Sequence, residues 1–435
     1  MHKRTKNILA AFILLVLCLP MLQGLFHIFP EKELNGRLQA KAVEPSFRFG
    51  NWFNGTFQDS LTIYTNQHFG LRPWYVRLND QFYFSVFKRA RANGLIVGKN
   101  DYLYDFYYIN AYLGKDCNGY KKNLDYLEKF HFVQHALQKR GITLMLVMMP
   151  GKASFYPEFL PDRYASEPRG VTNNQLLHRI SDSLGVNCVD LSPYLLDMKK
   201  RSPYPLYPPY GIHWSEYGML LGMDSVGHYI EKKRSIDLPD VKLEKMVWSD
   251  TARGDEYDIG QGANLLFDLP PVRYAYPEYQ VVTEGKTQLD ALCVGDSYYW
   301  QFFATSKLER EWFRNSKYWF YFRELHTRDV GQISEEESHK KLREEVFSKQ
   351  LIMVFHCDAN LVKPGNGFIE ELYDMLHYTG KYAGTETQRL KDIERDIRAD
   401  KNWMELIRQK AEKSNIPLDT MVKMDSKYVL DHEWD

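Results

Sequence analysis

Apolar residues fall along this chain in distinct patterns, each predicting a different element. The first is a block from Ile8 to Phe29 without a Lys, Arg, Asp or Glu, preceded by Lys3, Arg4 and Lys6. About twenty apolar residues suffice to cross a bilayer. The block is too long for a signal-peptide core and no Ala-x-Ala site closes it. Leu17 stands where a lipoprotein would need a small residue before Cys18. The expectation is an uncleaved anchor, with the basic head in the cytoplasm and the rest of the chain exported. The alternative, a secretory signal cut elsewhere, exports the same body.

The second pattern is a set of short, nearly continuous apolar runs: Gly141 to Pro150, Gly185 to Pro193, Leu289 to Tyr299 and Gln350 to Asp358. Strands buried on both faces read this way. Between them lie segments of helical periodicity, "KNLDYLEKFHFVQHALQKR" and "VTNNQLLHRISDSL". The alternation predicts an α/β fold with a mainly parallel sheet flanked by helices. Sites in such sheets collect beyond the carboxyl ends of the strands. After a Gly-containing linker, "YTGKYAGTETQ", the chain turns charged and amphipathic, predicting a helical C-terminal tail, a pair of amphipathic helices that packs on the catalytic domain or docks a partner. The expected organisation is a head and anchor (1–29), an exported segment packing on the catalytic domain (30–90), the catalytic domain (91–380) and the tail (381–435).

Composition narrows the function. Basic and acidic residues balance at 56 each, so nucleic acid has no electrostatic footprint here. Aromatic residues make up 15% of the chain, which suits stacking on sugars as well as ordinary core. Cys188, Cys293 and Cys357 sit in or just after apolar runs, as small buried hydrophobes do. No CxxC occurs, which argues against structural zinc, while disulfides stay open for an exported body. His131 and His135 have ligand spacing but lack the Glu of a zinc protease. No metal or cofactor is expected.

The third run ends in Gly295-Asp296-Ser297. A serine in the turn after a buried strand presents its hydroxyl at the sheet edge and its own N–H to an oxyanion. Read blandly, the same triplet is a turn with a helix-capping serine. His213, in "YPLYPPYGIHWSEYGMLLG", is a candidate base for Ser297, since a base need not be near its nucleophile in sequence. Asn264 is a candidate oxyanion donor. Tyr321 and Arg323 are candidates for lining an acceptor groove, with aromatic packing as the alternative. Asp255, Glu256 and Asp258 read as a solvated acidic loop.

Five segments in order, "GNWFNGTFQDSLTIYTNQHFGLR", "NGLIVGKNDYLYD", "MMPGKASFYPEFLPD", "GIHWSEYG" and "CVGDSYYW", resemble the AlgX/AlgJ-type alginate O-acetyltransferase family, also known through its Asp-His-His-Trp members. The resemblance implies an SGNH-hydrolase-like fold and an exported enzyme that moves acetyl groups onto an exopolysaccharide beside a membrane-bound O-acyltransferase. It makes His213 the base and Ser297 the nucleophile. A carbohydrate acetylesterase and a non-catalytic polysaccharide-binding or assembly protein are the alternatives.

The family motif places an Asp two residues before the His, where Gly211 stands. A Ser-His dyad helped by a backbone carbonyl, a triad completed from elsewhere, and an inactive site all stay open. Asp190 and Asp296 are the nearest carboxylates by sequence logic, and each also reads as structural. If the missing carboxylate limits the rate, Gly211→Asp should raise activity wherever that backbone does not require glycine.

Overall fold

The computed structural model describes residues 3–36, 42–328, 331–381, 386–414 and 416–432. Its centre is a seven-stranded sheet. Two short antiparallel pairs accompany it: β1 (Leu95–Val97) with β2 (Leu103–Asp105), and β5 (Asp240–Ser249) with β6 (Tyr274–Val282). The sheet itself contains β3 (Thr143–Met149), β4 (Cys188–Asp190), β7 (Ala291–Gly295), β8 (Lys317–Phe320), β9 (Glu324–Thr327), β10 (Gly331–Ile333) and β11 (Leu351–Cys357). Their order across it is β10-β9-β8-β7-β11-β3-β4, parallel from β8 to β4 and antiparallel at the β9–β10 edge. The four expected apolar runs are β3, β4, β7 and β11, side by side at one end.

Why those runs are apolar on both faces is visible in the packing. Met145, Val147 and Met149 of β3 face one core, with Met219, Met223 and Val226 of the helix Glu216–Arg234. Leu144, Leu146 and Met148 face the other, with Leu127, Phe130 and Val133 of the helix Gly119–Gln138 and Leu177 and Ile180 of the helix Asn173–Leu184. Alternate residues of one strand thus enter opposite layers. Burying each such side chain contributes roughly 1.5–3 kcal/mol before entropy is counted. The helix Asn173–Leu184 is bounded by local chemistry: a capping box joins Thr172 and Gln175, and Gly185 closes it at φ 70°.

At the N-terminus, α1 (Lys3–Phe26) is long and apolar enough to cross a membrane. Three further helices follow: α2 (Phe49–Phe53), α3 (Thr56–His68) and α4 (Arg72–Phe87). The C-terminal tail forms three helices, Glu386–Ala399, Lys401–Ser414 and Leu418–His432, rather than a pair. Ile393, Ile397, Ile407, Ala411, Met421 and Val422 give them a core of their own. Of the expected linker, residues 382–385 lie outside the described residues. All five cysteines are unpaired, with Cys293 and Cys357 buried.

Candidate active site

Ser297 sits between the end of β7 and the helix Tyr298–Thr305. Gly295 is required there by close approach: a Cβ would lie 2.6 Å from the Phe355 carbonyl on neighbouring β11. Asp296, beside Ser297, is wholly buried and structural. Its carboxylate accepts from Tyr298 N (3.1 Å), Cys357 N (2.8 Å) and Asn360 Nδ2 (2.7 Å), and His356 Nδ1 lies 3.5 Å away. Burial alone would raise its pKa, but bonding to His356, Asn360 and Cys357 outweighs burial and holds it below the usual value. Asp190 is likewise committed, accepting from Ser192 N at 2.9 Å.

His213 reaches Ser297 from the loop before the helix Glu216–Arg234, and Nε2 stands 2.9 Å from the serine Oγ. Ser215 caps that helix through Gly218 N at 3.0 Å. Trp214 drops fully into the core against Tyr298 and Phe355. The His-Trp pair therefore divides its parts: the indole fixes the chain and the imidazole faces the serine. Tyr298 adds a second fastening, its hydroxyl donating to Ile212 O at 2.7 Å and its ring meeting the His213 ring edge-on.

The carboxylate facing the far side of the imidazole is Asp258, in the connection between β5 and β6. Its Oδ2 lies 3.2 Å from His213 Nδ1, close enough for an ion pair though bent away from hydrogen-bond geometry. Its Oδ1 accepts from Ile212 N (2.9 Å) and Ile259 N (2.7 Å). Burial lowers the His213 pKa, but the close contact and charge of Asp258, with Asp255 and Asp296 behind, outweigh it and leave the ring above its ordinary value. The loop is not simply solvated, as its sequence suggests. Glu256 is buried and accepts from Tyr276 Oη (2.6 Å) and Glu216 N (2.9 Å), its pKa pushed up to about 6 by burial.

Gly211 is where sequence reasoning fails most instructively. A Cβ at Gly211 would lie 2.7 Å from the Glu256 carbonyl oxygen and 2.8 Å from that of Asp255. The loop bearing Asp258 thus passes through the space a side chain at 211 would fill. An aspartate there would displace the carboxylate it was meant to replace, so the expected gain from Gly211→Asp is withdrawn.

Two further groups complete the surroundings. Lys152 is entirely buried at the end of β3, donating to Pro209 O (2.6 Å) and Gly211 O (2.7 Å) beside the rings of Tyr102 and Tyr104. Burial drives its pKa well below the ordinary lysine value, with only the Asp258 charge pulling back. Tyr321 lies in the turn after β8, where Tyr321 and Phe322 adopt φ of 50° and 56°. Successive left-handed residues other than glycine store strain, on the order of 1–3 kcal/mol each. Burial pushes the pKa of the Tyr321 hydroxyl up to about 12, with nearby Ser297 pulling it back. Arg323 is exposed on the same turn.

Asn264 does not serve an oxyanion. Its Oδ1 accepts from Asn35 N (2.7 Å), while Nδ2 donates to Asn35 O (2.9 Å) and Gly262 O (3.1 Å), leaving neither amide hydrogen free. His131 and His135 pack edge to face on their helix. Among the described residues, the one cluster with metal-ligand spacing is Glu231, Asp237 and Asp240, and Lys286 Nζ bonds both aspartates. Asp258 was visible in the sequence only as acidity. The signal that could have found it is the need of His213 for an acceptor once Gly211 offers none.

A mainly parallel α/β sheet bearing Ser, His and Asp beyond its strand ends defines the body as SGNH-hydrolase-like. Residues 95–289 match the family described as SGNH hydrolase-like domain, acetyltransferase AlgX. The matched segment contains His213 and Asp258 and stops short of Ser297. A probable alginate O-acetylase AlgJ of Pseudomonas syringae pv. tomato is 23% identical over 184 residues, 42% of this chain. The chain spans only 45% of that curated relative's length. Among solved structures, the O-acetyltransferase domain of Pseudomonas putida AlgJ is similar at 16% identity and TM-score 0.43, over 65% of this chain and 99% of that one. Pseudomonas aeruginosa AlgX (14%, TM-score 0.40, 63% and 67%) and Bacillus cereus PatB1 (11%, TM-score 0.40, 63% and 99%) are similar too.

Proposed function

We propose that this protein is an exported O-acetyltransferase that carries an acetyl group on Ser297 and places it on a cell-surface or secreted polysaccharide. The observation that carries the reading is the 2.9 Å contact of His213 with Ser297, backed by Asp258. In the first half-reaction His213 Nε2 takes the Ser297 proton as Oγ attacks the acetyl carbonyl. Asp258 steadies the imidazolium, which then protonates the departing donor group. In the second, a sugar hydroxyl gives its proton to His213 and attacks the acetyl ester, and Ser297 recovers its proton. The Ser297 N–H and the Tyr321 hydroxyl are the donors assigned to the tetrahedral oxyanion, and a phenol with a pKa of about 12 stays protonated to donate. Arg323 and the face of Tyr321 are assigned to the acceptor sugar.

α1 is assigned as the anchor that keeps the body on the extracytoplasmic side, with a membrane-bound O-acyltransferase as acetyl donor. The matched relative is named a probable alginate O-acetylase, and an alginate-type uronic-acid polymer is the first acceptor to try. The test is full-length protein in detergent with an activated acetyl ester and such oligosaccharides. Acetylated sugar should form faster than free acetate, and Ser297→Ala should abolish both. Acetate without acetylated sugar would move the protein to the acetylesterases. Turnover that survives Ser297→Ala would remove the nucleophile.

A further inference from the structure

Among the described residues, large apolar side chains left exposed concentrate in α1 and in residues 43–87. Neither α2 nor α3 buries a single residue. In α4 the usual arrangement is inverted. Arg77, Asp80 and Phe84 are buried, while Trp74, Leu78, Phe82 and Val86 are between 48% and 58% exposed.

Phe84, packed in a small cluster with Leu95, Val97 and Tyr210, and polar contacts on the same side hold α4 to the protein. The Arg77 guanidinium donates to Lys32 O (2.9 Å) and Glu33 O (2.8 Å), and Gln81 Oε1 accepts from Phe267 N (3.0 Å). Spacing by four residues sets Trp74, Leu78, Phe82 and Val86 along one outward stripe. A contiguous apolar stripe with no cover is not stable in water and marks an interaction surface.

The place of the stripe identifies its cover. Gly70, just before α4, packs on the far end of α1 so closely that a Cβ would lie 2.1 Å from Pro20 O and 2.5 Å from Gly24 N. Leu71 N donates to the Glu31 carboxylate at 2.6 Å. The first turn of α4 is therefore fixed where α1 ends, opposite its basic head. Tryptophan, tyrosine and amphipathic helices favour the boundary between headgroups and acyl chains.

We propose that α4, with α3 before it, lies in the outer interface of the bilayer that α1 crosses, and that Trp74, Leu78, Phe82 and Val86 insert among the lipids. This rests on the anchor reading of α1. The test uses the full chain alone in phosphatidylethanolamine–phosphatidylglycerol vesicles doped with a phospholipid carrying a photoreactive diazirine in its acyl chain. After irradiation, peptide mapping should find lipid adducts on α1 and also on Trp74–Val86. The double variant Leu78→Gln/Phe82→Gln should lose most of the α4 adducts and keep those on α1. Adducts on α1 alone would overturn the proposal and leave the stripe to a protein partner. Adducts on neither would remove the anchor itself.

Discussion

Asp258 holds His213 by two routes at once: one carboxylate oxygen lies 3.2 Å from the ring nitrogen, and the other accepts from the amide of Ile212, the residue before it. One side chain thereby acts on both the charge of the ring and the main chain that presents it. Removing it should cost more than charge.

Asp258→Asn should therefore lower kcat by up to about 10⁴, the loss seen when a triad carboxylate is neutralised with its geometry intact. The acid limb of the rate profile should shift as well. The proposed mechanism needs neutral His213, whose pKa Asp258 raises against the lowering effect of burial. Without that charge, burial prevails and the limb moves to lower pH. Rates across pH 4.5–8 would check it; an unmoved limb would deny the pairing.

Gly211→Asp and Gly211→Ala should both lose activity. Each places a Cβ within 2.7 Å of the Glu256 carbonyl, and overpacking of this kind costs about 1–3 kcal/mol. Thermal unfolding should show a lowered Tm for both variants, and a more active Gly211→Asp would contradict the geometry.

Lys152→Met should leave Gly211 O without its donor, at a cost of about 1–3 kcal/mol. As Lys152 positions the loop rather than touching substrate, kcat should fall more than KM rises. Labelling of Ser297 by a sulfonyl fluoride should slow in parallel, because serine activation depends on where His213 sits. Unchanged labelling would confine Lys152 to a structural role.

Tyr321→Phe tests the oxyanion assignment. Loss of one such donor typically costs about 10²–10³ in kcat. The aromatic ring survives in this variant, so sugar stacking should persist and KM for the oligosaccharide should change little. A KM effect alone would place Tyr321 in the acceptor groove instead.

The sequence disclosed what depends on local pattern and hid what depends on chain crossings. Runs such as Leu351–Cys357 announced buried parallel strands because both faces of the sheet are covered. The meeting of His213 and Ser297 was legible because each sits in a short motif at the edge of an element. Asp258 was not, since its role arises only where the β5–β6 connection folds back over Gly211. Asn264 looked like a free amide donor because nothing local reveals that residue 35 returns to occupy it. The tail read as amphipathic, but its periodicity could not give the number of helices or show that they share a core.

The clasp between Asn264 and Asn35 also sets a reach. From the end of α1 at Phe26 to Asn35 the chain takes ~9 residue steps, and even fully extended it spans only about 3.4 Å per step, or roughly 30 Å. With α1 in the bilayer, the loop bearing Asp258 is leashed within that distance of the surface. Such a protein cannot follow a polymer outward. On the proposed function it would modify only the strand passing through a shallow layer above the membrane, so the pattern of acetylation along a chain would be written by the speed at which that chain emerges.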